Sequence, residues 1–119
     1  MKLGEIINAT MAFQKLSNMD LRLALALSIK KLTANLQTEI NFFEERRMKL
    51  LDKHGAVQEN ENTRKIPDNN IEAFQKDFKE LLDTECSGTH EKIKLKLSED
   101  IKLTVNDIIM LEPFIIFEE

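Results

Sequence analysis

The sequence predicts an α+β fold, mainly α, in which a long central helix carries two shorter helices and a small C-terminal β element. Three observations support this. First, Leu25, Ile29, Leu32, Leu36, Ile40, Phe43 and Leu50 recur at gaps of three, four or their sums, which puts them on one face of a helix from Asp20 to His54. Second, shorter stripes of the same period flank it on either side. Third, the period changes beyond residue 84, where Ile93, Leu95 and Leu97 alternate with Lys92, Lys94 and Lys96, as in a half-buried strand. At 1.5 Å per residue the central helix is on the order of 50 Å long. A compact chain of this length has a radius of gyration of roughly 13–14 Å, so the remaining elements must be laid along the rod.

The first helix spans residues 4–16, with Ile6, Ala9, Phe13 and Leu16 as its stripe and Glu5 at the favourable end of the dipole. Ser17 and Asp20 have the spacing of a capping box for the next helix, flanked by Leu16 and Leu21 at the staple positions. Two helices joined so tightly should fold back as a hairpin. Gly55 is a natural stop for the long helix, preceded by Lys49 and Lys53. Residues 56–67 lack periodicity and read as a polar loop closed by Ile66-Pro67. A third helix follows from Asn69 to Asp83, with Asn69 and Glu72 as a cap pair and Ile71, Phe74, Phe78 and Leu81 as its stripe.

After the alternating segment, Ser98-Glu-Asp reads as a turn and Ile101 and Leu103 continue the alternation. Thr104-Val-Asn-Asp107 is a second capping box, opening a short helix from Val105 to Leu111 that Pro113 ends. Phe114–Phe117 reads as a strand or an apolar tail. The whole, 1–119, is expected to be a single domain with a helical part, 1–83, and a C-terminal part, 84–119.

Composition narrows the function classes. Seventeen basic against 21 acidic residues give a net charge of −4, which disfavours a nucleic-acid binder resting on bulk electrostatics. Residues 1–55 hold nine basic and six acidic side chains, and residues 56–119 hold eight and fifteen, so the halves carry +3 and −7. One cysteine, Cys86, cannot form an internal disulfide, and a reducing cytoplasm is the expected location. The longest apolar run, Leu23–Leu27, is far short of a membrane span. No glycine-rich phosphate loop and no zincin, hydrolase-elbow or kinase pattern is present, and no cofactor is expected.

Surplus apolar surface is the main candidate for function. Leu21, Leu23, Leu25 and Leu27 wrap almost all round the start of the long helix, and a helix apolar on every side is buried on every side. Phe114, Ile115, Ile116 and Phe117 form a second apolar element. The collar residues Leu21, Leu23 and Leu27 and the tail Phe114–Phe117 are therefore the expected protein-binding residues. They meet each other, a second copy in a homo-oligomer, or a foreign protein. Cys86-Ser-Gly-Thr-His90 places a thiol near an imidazole, but a zinc site wants four ligands and His54 is the only other histidine. Neighbours in Glu44-Glu-Arg-Arg47 diverge around a helix, so Glu45 and Lys49 read as a surface pair and not as catalytic carboxylates.

Met1-Lys-Leu-Gly-Glu-Ile-Ile-Asn-Ala9, Phe42-Phe-Glu-Glu-Arg46 with Lys53-His-Gly55, and Leu111-Glu-Pro-Phe-Ile115 together resemble a family of short uncharacterised proteins from tailed phages and prophages of Gram-positive bacteria. The resemblance touches both ends and the middle of the chain. It implies a phage accessory protein inside a bacterial host and brings no catalytic residues with it. The expected function is a non-enzymatic protein-interaction module that binds a phage or host protein. A self-assembling virion or tail component is the first alternative, and a small enzyme using Cys86 and His90 the second.

Overall fold

The computed structural model describes residues 1–60, 63–86, 92–96 and 101–118. Its elements are α1 (Leu3–Ser17), α2 (Leu23–Lys53), β1 (Val57–Asn60), β2 (Thr63–Lys65), a 3₁₀ turn (Asp68–Asn70), α3 (Ile71–Leu82), β3 (Ile93–Lys96), α4 (Val105–Leu111) and β4 (Ile115–Glu118). The fold is α+β and mainly α. The long helix is unbroken over 31 residues, and its length sets the principal extent of the molecule, 52 Å against 30 and 23 Å.

Of the predicted stripe, Leu25, Ile29, Leu32, Leu36 and Phe43 are buried and Ile40 and Leu50 half-buried, while at the far end Leu51 is buried in place of Leu50. Two hydrophobic clusters lie along that face. In the larger, the start of α2 meets α1 through Ile6, Ala9, Phe13 and Leu16, and meets the C-terminal elements through Leu95, Leu111, Phe114 and Ile115. In the smaller, Leu3, Phe43 and Leu81 join α1, α2 and α3. The two short helices thus fold back from opposite ends of the rod. They meet where Gly4 comes so close to α3 that an added Cβ would lie 3.1 Å from the Leu82 carbonyl oxygen. The chain start is also tied to the stretch after α3: Leu3 N–H donates to the Thr84 carbonyl and Cys86 N–H to the Met1 carbonyl, both at 2.8 Å.

The entry to α2 differs from expectation. Ser17 is the last residue of α1, and its hydroxyl donates to the Phe13 carbonyl at 2.9 Å, so it is not a cap for the next helix. The α2 N-cap is Arg22, without a side-chain cap bond, and Asp20 lies outside the helix. The exit follows the sequence closely. Gly55 adopts φ +71°, Ala56 N–H donates to the Leu51 carbonyl and Gly55 N–H to the Asp52 carbonyl, the paired bonds of a left-handed helix stop.

Within the stretch expected to be a loop, Val57–Asn60 and Thr63–Lys65 pair as antiparallel strands, with Val57 opposite Lys65 and an irregularity between Gln58 and Asn60. None of their residues is buried, so they have no apolar alternation to read. The cap pair at Asn69 and Glu72 is replaced by the 3₁₀ turn, and Asn70 uses its side chain elsewhere, donating to the His54 carbonyl at 2.9 Å.

At the C-terminal end, β3 and β4 pair in parallel, Ile93 opposite Ile115 and Leu95 opposite Phe117, with α4 in the crossover. The strands therefore pair within one chain. Ile101 and Leu103 are half-buried but lie outside any strand, and the turn expected at residues 98–100 lies outside the described residues. The Thr104–Asp107 capping box is present in full: Asp107 N–H donates to Thr104 Oγ1 and Thr104 N–H to Asp107 Oδ2, both at 3.1 Å.

Candidate functional site: surfaces on the long helix

The predicted binding residues divide sharply. Phe114 and Ile115 are 1% and 2% exposed and sit in the larger core cluster, with the Phe114 ring edge-on to Phe13 at 5.3 Å. They hold the sheet to the helices and are not available at the surface, which corrects their expected binding role. The reason is register: the parallel pairing turns Ile115 onto the helical layer while its neighbour Ile116 faces out and is exposed. Leu21 and Phe117 are half-buried against the same cluster.

Leu23 and Leu27 behave oppositely. They are 74% and 55% exposed. Counting 100° per residue, both lie on the side of α2 opposite the Leu25–Ile29–Leu32–Leu36 stripe. An all-round apolar helix start is thus buried on one side only. A comparable pair, Val105 and Ile109, stands exposed on α4. On α2, Leu23 and Leu27 are four residues apart and so adjacent on the helix surface.

Beside the leucine face lies a groove between α2 and β3, roughly 610 Å³ in volume, walled by Ser28, Lys31 and Asn35 on one side and Lys92–Lys94 on the other. Among its ten described lining residues four are basic and none is acidic.

The charged clusters elsewhere hold elements in place. Lys15 Nζ donates to Asp107 Oδ2 at 2.9 Å, pinning α4 to α1. That bond and those from Thr104 hold the Asp107 carboxyl below the ordinary carboxylate value. Asp77 accepts from Lys53 at 3.0 Å and lies 2.8 Å from His54 Nε2, and these two partners lower its pKa as well. The His54 ring is almost fully buried, edge-on to Phe74, where it ties α3 to the end of α2. Glu45 and Lys49 form the expected surface pair at 3.2 Å.

Cys86 packs against both clusters. Burial first, and then the neighbouring Glu39 carboxylate, push its thiol up to about 11. A thiol held protonated at neutral pH is a poor nucleophile. His90 lies outside the described residues. Among the described residues no group of three or more His, Cys, Asp or Glu could hold a metal ion, and no helix is long and apolar enough to cross a membrane. Comparison with protein-family models, with curated proteins and with solved structures finds no match.

Proposed function

We propose that the chain is a non-enzymatic protein-interaction module that engages a phage or host protein through the outward leucine face of α2. The observation that carries this reading is the exposure of Leu23 and Leu27 on the side of the helix turned away from the core. Burying one such side chain is worth roughly 1.5–3 kcal/mol. A partner with an apolar groove recovers that for both leucines at once, with α2 as the inserted helix.

The test compares the wild-type chain with a Leu23→Lys/Leu27→Lys variant as baits in phage-infected cells, followed by titration of the purified partner. The reading expects a discrete protein held by the wild type and weakened at least ~10-fold by the variant, with helix content unchanged. Identical captures by both baits would overturn it.

Self-assembly is the second reading, and the exposed Val105/Ile109 pair on α4 favours it. Two different apolar patches on one chain permit a heterologous contact that propagates. It requires an oligomer in sedimentation velocity that both Leu23→Lys/Leu27→Lys and Val105→Lys/Ile109→Lys disperse.

A further inference from the structure

The groove between α2 and β3 borders a strand edge that has no partner strand among the described residues, as well as carrying charge. Ile93 N–H donates to the Phe114 carbonyl at 2.9 Å, and the register continues Lys94 to Ile116 and Leu95 to Phe117. In a parallel ladder alternate residues of a strand direct both backbone groups to the same neighbour. Ile93 and Leu95 therefore spend theirs on β4, and Lys92, Lys94 and Lys96 turn theirs to the opposite edge. Among the described residues that sheet has two strands only, so this edge of β3 is open, and it borders the groove.

The two walls differ in chemistry. Leu25, Leu32 and Ile93 make the apolar floor, while Lys31 reaches in from α2 and Lys92 and Lys94 project on the outer face of the strand. Among the described residues, Lys94 is the one of these lysines with a carboxylate nearby, Glu118 at 3.8 Å on β4.

We infer that this groove receives an extended acidic segment of another protein as a third strand beside β3. Alternation within the added strand matches the two walls: carboxylates at every second position face Lys92 and Lys94, and the apolar residues between them turn onto the floor. Backbone bonds to the open edge supply affinity and the lysines supply selection. The groove's described lining contains no aromatic ring on which a base could stack, which favours a peptide over single-stranded nucleic acid. The inference shares with the function proposed above only that a protein is bound, since its residues are separate from the leucine face.

The experiment is fluorescence anisotropy of the full chain with a labelled peptide of about eight residues alternating Glu and Val, long enough to span a strand. Three controls accompany it: the Lys-Val peptide, the Glu-Val peptide N-methylated at alternate residues, and an oligothymidine. The Glu-Val peptide alone should bind. Its affinity should fall at least ~10-fold in Lys92→Glu/Lys94→Glu and be unchanged in Leu23→Lys/Leu27→Lys. Absence of Glu-Val binding, equal binding of the N-methylated peptide, tighter binding of the oligothymidine, or loss of binding in the leucine variant would each overturn the inference. The N-methylated control leaves the protein untouched, so its result stands even if the lysine variant folds poorly.

Discussion

Asp107 couples three parts of the chain through one carboxylate. It closes the capping box with Thr104, opens α4, and accepts from Lys15 on α1 across 92 residues of sequence. Because its folded pKa lies below its ordinary value, the stability it contributes is present above the unfolded pKa and is lost as pH falls through the folded one. Asp107→Asn should therefore lower the urea midpoint at pH 7. The gap to wild type should narrow as pH drops below about 4. A gap undiminished at about pH 2.5 would contradict this. Thr104→Ala removes only the cap and should cost about 1 kcal/mol. The capping box was legible in the sequence because its bonds span three residues, whereas the Lys15 contact had no local signal. Ser17 and Asp20 show the limit of that legibility. They carry a similar spacing, but α1 runs on through Ser17, whose hydroxyl turns back to Phe13.

At the scale of elements, the continuity of α2 decides the rest. Leu36, in the larger cluster, and Phe43, in the smaller, are borne by the same helix, so the two clusters are coupled through the backbone between them. Thr38 lies in that interval with an exposed side chain, which makes it a probe of backbone alone. Thr38→Pro removes one helical hydrogen bond and clashes with the preceding turn, at a cost of roughly 3 kcal/mol or more. Thr38→Ala should stay within about 0.5 kcal/mol of wild type. Chemical denaturation of the pair measures this, and equal midpoints would mean that α2 does not couple the clusters. Helices α1 and α2 were legible because each buries a stripe of fixed period, and α3 because Phe74, Phe78 and Leu81 of its stripe turn inward while Ile71 stays exposed. The β1–β2 hairpin was not, because both of its faces meet water and leave no alternation. Strand β3 was legible from its lysine–aliphatic alternation and β4 in part, as a strand or apolar tail over Phe114–Phe117, but their parallel pairing was not, since pairing direction is set by the α4 crossover. The same crossover explains the burial of the tail: once β4 lies parallel to β3, Phe114 and Ile115 are carried inward, and only Ile116 of the tail is exposed.

The whole molecule is governed by the mismatch between the long helix and the amount of chain available to cover it. A radius of gyration of 17.1 Å exceeds the roughly 13–14 Å of a compact chain of this length. The excess arises because α1 and α3 cover the core face of α2 end to end while nothing described covers the face bearing Leu23 and Leu27. Two consequences can be separated by small-angle X-ray scattering. Extrapolated to infinite dilution, the radius of gyration should lie near 17 Å, slightly larger for the hydration shell. A value near the compact figure would mean that α2 bends in solution, and both proposed surfaces would then lose the geometry they rest on. At rising concentration, growth of the radius in the wild type but not in Leu23→Lys/Leu27→Lys would show that copies satisfy the leucine face for one another. A radius independent of concentration in both would leave that face, as the reading above requires, for a protein of another kind.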